Sequence, residues 1–302
     1  MKALNFLLIL VFTSIICGLI FWLWQRQPKG TSQDKPQATS IAAENKQKEP
    51  DSAILLISPK NSDILDTNSV KFSGKANKDN KIILISNSIS DIASVKNDGT
   101  FEITENLNNG LNLINIISTD QNFKETKRQS LTLYVLTSNS KDKNVTAGTV
   151  SKIFQNTLTV TTLSGDETVE KAANTSTTIS GSAPPTKNKD SDIRIGDYIV
   201  ALGTKTKDTN LTPSSIQIIR DNKPQITKTY TAVKLASATK LKIFSGYNLL
   251  DNKLIEFKLD KINVFNNDKA SDEKAITKDK RAVVFYTPTS SDNIVSLVYI
   301  LP

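Results

Sequence analysis

At 302 residues the chain is long for one small domain, and at roughly 100 to 150 residues per domain two or three units are expected, with three as the working number. Histidine is absent and the single cysteine, Cys17, lies in an apolar N-terminal run. That excludes imidazole-based acid–base chemistry, His-built triads, and any disulfide, thiolate zinc site or cysteine nucleophile in the rest of the chain. The formal charge is +8, but its excess sits in the last segment. There Lys258, Lys261, Lys269, Lys274, Lys278, Lys280 and Arg281 alternate with Asp260, Asp268, Asp272, Glu273 and Asp279. With little aromatic accompaniment this pattern describes a solvated surface, and no nucleic-acid partner is expected.

Residues 3-24 carry no charge, a run long enough at about 1.5 Å per residue to cross a hydrocarbon core of about 30 Å. Phe21, Trp22 and Trp24 close it and Arg26 and Lys29 follow, as at a membrane interface. The run is too long for a cleavable signal peptide and ends in bulky aromatics. Residues 1-25 therefore read as a transmembrane signal anchor whose partner is the lipid bilayer. Lipidation of Cys17 is disfavoured by Ile16, which stands where a small residue is expected. Lys2 and the amino terminus oppose Arg26, Lys29 and Lys35, so local charge leaves the orientation open. The downstream modules place the C-terminal part outside the cytoplasm in this reading. Residues 26-52 are polar, with prolines at 28, 36 and 50, and read as a disordered linker spanning roughly 28 Å.

From residue 53 short apolar runs recur at regular intervals, which predicts an antiparallel sandwich over 53-136 with strands at 53-57, 68-74, 81-86, 91-95, 100-104, 111-118 and 130-136. Asn97-Asp98-Gly99 between two apolar runs predicts a hairpin turn. Ser58-Pro59, Phe72-Ser73-Gly74-Lys75-Ala76, Asn97-Asp98-Gly99-Thr100-Phe101, Leu107 with Gly110-Leu111-Asn112, and Asp120 together make this segment resemble bacterial immunoglobulin-like domains. Those domains occur on cell-surface proteins and beside polysaccharide-degrading catalytic domains. Gln121-Asn122 replace the glycine that often follows that aspartate. The resemblance implies a spacer, an adhesive module or a carbohydrate-contacting accessory, and brings no catalytic residue. Asp98 and Asp120 invite a calcium reading, but no D-x-[DN]-x-[DN]-G run is present and turn chemistry explains both.

Residues 144-221 alternate like strands through Gly148-Thr149-Val150 and Asn156-Thr157-Leu158-Thr159-Val160. After a polar loop holding Pro184-Pro185 come Ile193-Arg194-Ile195-Gly196-Asp197-Tyr198-Ile199-Val200-Ala201-Leu202-Gly203 and Leu211 to Ile219. This last part resembles small secreted bacterial OB-like barrels of unknown function, in which a Gly-Asp turn introduces a strand ending in glycine. A shift of 83 residues lays Val150 on Val233, Leu158 on Leu241, Val160 on Ile243, Val200 on Val283, Leu202 on Phe285, Leu211 on Ile294 and Ile216 on Tyr299. Residues 226-302 are therefore expected to form a second, diverged barrel module. Lys280-Arg281 stand where the Gly-Asp turn would be. Tyr198, Phe244, Tyr247, Phe257, Phe265, Phe285, Tyr286 and Tyr299 are candidate stacking rings that read chiefly as core.

Ser237-Ala-Thr-Lys240 and Ser291-Asp292-Asn293 match the S-x-x-K and S-D-N motifs of serine acyl-transferases. Serine and lysine are abundant enough to produce such matches by chance, Ser271-Asp-Glu-Lys274 being another, and no K-T-G follows. No phosphate loop, dinucleotide fingerprint or metal-ligand cluster appears. Catalytic, cofactor-binding and metal residues are therefore assigned nowhere, and no cofactor is expected. The sequence predicts a mainly β, membrane-anchored, extracytoplasmic protein of a bacterial cell envelope that is not an enzyme. It acts as a structural or adhesive stalk, or alternatively as an accessory binding an envelope glycan or a secretion or pilus protein; a polysaccharide-acting enzyme is the weaker third. An exposed aromatic row would favour the binder, a polar surface the spacer, and two facing carboxylates in a cleft the enzyme.

Overall fold

The structure, a computed structural model, describes residues 54–136, 141–180, 193–207, 210–237, 242–266 and 269–301. The expected anchor at residues 3-24, Cys17 and the linker at 26-52 lie outside the described residues. Among the described residues no helix is long and apolar enough to cross a membrane. They form twenty strands and a short 3-10 turn at Glu273–Ala275.

The first eight strands are β1 (Leu55–Ser58), β2 (Ile64–Leu65), β3 (Ser69–Lys75), β4 (Lys81–Ile85), β5 (Ser90–Ser94), β6 (Thr100–Asn106), β7 (Gly110–Thr119) and β8 (Glu125–Val135). They make two sheets, ordered β1-β3-β6 and β2-β8-β7-β4-β5. Strict alternation on β3 and β6 points Val70, Phe72, Phe101 and Ile103 inward, where they meet Ile82, Leu84, Ile114, Ile116, Leu131 and Leu133 of the second sheet. All seven predicted strands are present, and the two-residue β2 is an addition. The Asn97-Asp98-Gly99 turn forms, with Gly99 at φ +80 and Asp98 Oδ1 accepting from the Thr100 amide and hydroxyl at 3.0 and 2.7 Å. It does not close a hairpin. β5 pairs with β4 and β6 with β3, so the turn carries the chain from one sheet to the other.

The remaining strands build two closed barrels. The first comprises β9 (Asn144–Phe154), β10 (Thr157–Thr162), β11 (Gly165–Glu170), β12 (Ser176–Ser180), β13 (Tyr198–Lys207) and β14 (Asn210–Ile219). Its order β11-β10-β9-β13-β14 closes through parallel pairing of β11 with β14 into a ring of five strands, numbered one to five in chain order without β12, which also runs along β14. The second comprises β15 (Thr229–Leu235), β16 (Ile243–Asn248), β17 (Leu254–Asn266), β18 (Lys269–Ser271), β19 (Arg281–Pro288) and β20 (Asn293–Ile300). It has the same order, β17-β16-β15-β19-β20, closed by the parallel β17–β20 pair. Each is filled by its own side chains, Val150, Leu158, Val169 and Ile218 in one and Val233, Phe244, Phe257 and Val298 in the other.

Strand pairing corrects the single shift of 83. Val200 pairs with Ala147 and Val283 with Ala232, so the shift is 83 in the fourth barrel strand but 85 in the first. Ala201 pairs with Ile216 and Val284 with Val298, which puts Ile216 on Val298 rather than Tyr299. Likewise Ile243, matched by sequence to the fully buried Val160, is exposed. Loops of different length between strands move the register, and the inward faces realign strand by strand. The turn expected to be lost in the second barrel is kept. Gly196 and Asp279 both lie at positive φ, +93 and +69, and their amides donate to Val150 O and Leu235 O at 2.8 and 2.9 Å. Aspartate tolerates this conformation better than most residues, so glycine is dispensable there.

The modules are not strung out in line. β4 reads Ile82-Ile83-Leu84-Ile85 with every one of these side chains buried, the pattern of a strand covered on both faces. Ile82 and Leu84 belong to the sandwich core, whereas Ile83, Ile85, Ile117 and Phe123 pack on Ala232, Val283, Phe285 and Leu297 of the second barrel. Further along the same outer face, Ile64, Leu111 and Tyr134 pack on Val145, Ala147, Tyr198 and Val200 of the first barrel. Both barrels thus cover one sheet. Phe285→Ala is expected to lower the unfolding free energy by about 3–5 kcal/mol. Lys71→Ala, which breaks only an exposed 2.7 Å ion pair with Glu102, is expected to cost under about 1 kcal/mol. Urea denaturation of the two variants checks this, and equal effects would contradict a buried seam.

Candidate functional site

β5 and β6 belong to different sheets, so no backbone ladder joins them along the open side of the sandwich. Their side chains do so instead. Glu105 of β6 faces Asp91 of β5, close enough for a carboxyl-to-carboxyl hydrogen bond when one of the two is protonated, since two ionised carboxylates repel. Burial, then the Asp91 charge, then the hydrogen bond to Asp91 push Glu105 up to about 7. Asp91 Oδ1 also accepts from the Ile92 amide at 2.7 Å.

The pair opens into a cleft of about 380 Å³ between the sandwich and the second barrel, which supplies Asn263, Phe265 and Ser296. Lys228, from the segment entering β15, lines the same cleft. Its Nζ donates to Ser90 Oγ at 3.1 Å, and partial burial lowers its pKa. That segment is latched by Asn87 in the β4–β5 turn. Asn87 Nδ2 donates to Gln225 O at 2.7 Å, and its Oδ1 accepts from the Thr227 amide at 2.9 Å. The site can hold and exchange one proton beside an amine. Paired acids of glycoside hydrolases stand about 5–9.5 Å apart to admit a sugar or water, and a pair in hydrogen-bond contact leaves no such room.

At the other seam Glu167 accepts from Thr146 Oγ1 at 2.6 Å and lies 3.5 Å from Lys205 Nζ, both partners being largely enclosed. In the first barrel Asp197 accepts from the Arg194 amide at 2.9 Å and pairs with Arg220 at 3.1 Å. Burial works to raise the Asp197 pKa, but the Arg220 and backbone hydrogen bonds outweigh it and the net shift is downward.

The residues singled out from sequence fall into structural roles. Asp98 closes its turn as described, and Asp120 Oδ1 accepts from the Asn122 and Lys124 amides at 2.8 and 2.9 Å. Ser237 Oγ accepts from the Ser245 amide at 3.0 Å, while Lys240 lies outside the described residues. Asp272, after Ser271, caps the 3-10 turn by accepting from the Lys274 amide at 3.0 Å. Ser291 and Asp292 form the β19–β20 turn, and Asn293 Nδ2 donates to Glu256 O at 3.0 Å. Of the eight aromatic candidates, Tyr198, Phe244, Phe257 and Phe285 are buried, Phe265, Tyr286 and Tyr299 are partly buried, and Tyr247 is exposed. Asp91 and Glu105 were not singled out. Each is an ordinary polar residue in its own strand, and only the sandwich closure brings them together.

No family model matches the chain and no curated protein matches it. Among solved structures, one of a 1.5-MDa bacterial ice-binding adhesin, described in terms of host cell surface retention, is similar at 11% identity over 83% of this chain and 97% of that chain. Its TM-score of 0.21 is too low to carry an argument about this protein.

Glu105 binds its proton more tightly in the folded chain than at its ordinary value of 4.5. Its contribution to stability is therefore complete below that value and is lost as pH rises through about 7. Glu105→Gln keeps a donor to Asp91 without titrating. Thermal midpoints measured from pH 5 to 8 should show this variant gaining on the wild type as pH rises, and parallel curves would remove the shared proton.

Proposed function

We propose that this is a membrane-anchored, extracytoplasmic protein of a bacterial envelope whose three modules act as one adhesive or glycan-binding head, without catalytic activity. The carrying observation is that both barrels bury the outer face of a single sandwich sheet. A pure spacer needs only modules joined end to end. Burying a second face fixes the orientation of two barrel surfaces, which is what a binding head requires.

The finer fold assignments belong to the same reading. A sandwich divided into β1-β3-β6 and β2-β8-β7-β4-β5, with short β2 running parallel to β8, has the arrangement expected of an immunoglobulin-like domain. Five-stranded closed barrels whose third and fifth strands pair in parallel have that of OB-like modules. The uncharged run at residues 3-24 supplies the anchor and the polar stretch at 26-52 the reach. A structural spacer is the second reading, favoured by the mainly polar outer face of the three-stranded sheet, where Lys71, Lys96 and Glu102 form exposed ion pairs.

A tag placed after Pro302 should be lost when intact cells are treated with protease, with lysed cells as the positive control. Protection until lysis would reverse the orientation and remove the surface role.

A further inference from the structure

The two barrels share one strand order, so each row of side chains crossing one barrel has a counterpart in the other. One outward row differs in character. In the second barrel Arg281 of β19 pairs with Lys234 of β15, Lys234 with Tyr247 of β16, and Tyr247 with Leu254 of β17. Paired residues project to the same side of a sheet, and all four are exposed. At about 4.8 Å between strands the row runs for about 14 Å. The matching row of the first barrel is Tyr198, Thr149, Thr161 and Asp166. There the tyrosine is buried in the seam with the sandwich and Thr161 donates to Asp166 at 2.8 Å.

Cores of the two barrels are alike, but this strip differs, with a buried tyrosine, two threonines and an aspartate in the first barrel against two cations, an exposed tyrosine and a leucine in the second. Tyr247 and Leu254 stand 43% and 58% exposed side by side on paired strands. The strip continues at its Arg281 end into a depression of about 400 Å³ shared with Lys124 and Leu250. Two acids lie nearby, Asp279 pairing with Lys234 at 3.1 Å and Asp120 lining the depression, against the three cations Arg281, Lys234 and Lys124, so these groups together keep a net positive charge.

We propose, as a deepening of the glycan-binding reading and resting on it, that Arg281, Lys234, Tyr247 and Leu254 bind a uronic-acid polysaccharide. Sugar rings lie on Tyr247 and Leu254, and carboxylates meet the guanidinium and ammonium groups. Charge complementarity and an exposed ring beside the cations select this ligand. A single-stranded nucleic acid would call for several stacking rings in a row, and this row has one.

The test titrates the full-length chain with polygalacturonate and with its methyl-esterified form, which keeps the rings and removes the charge. Wild type should bind the acid form at least about tenfold more tightly than the ester, and Lys234→Gln with Arg281→Gln should cost about tenfold, as expected for losing two charge-assisted contacts. Tyr247→Ala should weaken both forms, and Thr161→Ala in the matching row should change neither. Equal binding of acid and ester, indifference to Tyr247→Ala, or displacement of polygalacturonate by oligothymidylate at equal charge would each overturn the proposal. Retention on envelope polysaccharide from the source cells separates the two levels. If the chain is retained but these variants have no effect, the strip is wrong and the binding head stands. If wild type is not retained, the broader reading falls with it.

Discussion

Everything described depends on the five-stranded sheet of the sandwich carrying apolar residues on both of its faces. Two of its three inner strands, β4 and β7, carry apolar side chains on both sides, so one core inside the sandwich leaves Ile83, Ile85, Leu111 and Ile117 still to be covered. At roughly 25 cal/mol per Å² of apolar area, leaving that face open would cost more than small domains can spare. The barrels cover it, one at each end, and between the two seams the sheet turns polar, with Ser130 donating to Asn115 at 2.8 Å.

Covering the sheet explains what the barrels share and where they part. Closure through a parallel third-to-fifth strand contact and an inward set of Val, Ile, Leu and Phe are needed for each barrel to exist, and both persist through changes of loop length. Docking adds a demand on one side of each barrel, met by Val145, Ala147, Tyr198 and Val200 in the first and by Ala232, Val283, Phe285 and Leu297 in the second. Surfaces under neither demand are free to diverge. The turn before the fourth strand shows the same economy, with Gly196 and Asp279 serving one backbone geometry.

The clefts are products of assembly. Asp91 and Glu105 meet because two sheets close, and Lys228 joins them because Asn87 pins the segment leading into the second barrel. The acid pair itself belongs to the sandwich, and the second barrel adds Asn263, Phe265 and Ser296 to the cleft into which it opens.

The division between sequence and tertiary structure follows from the range of the forces involved. Period-two alternation, turn residues and the lack of histidine are local, and they determined a mainly β chain, its strands and the turn at Asn97-Asp98-Gly99. The run Ile82-Ile83-Leu84-Ile85 also held a readable sign of two-sided burial, since a half-exposed strand would alternate. A uniform 83-residue shift was too rigid, because loops absorb insertions while inward faces keep their register. Only the tertiary structure decided that the modules pack on one sheet, that Asp91 and Glu105 touch, and that Arg281, Lys234, Tyr247 and Leu254 form a single row. Each of these joins strands that are distant in the chain, and no local pattern encodes which strands become neighbours.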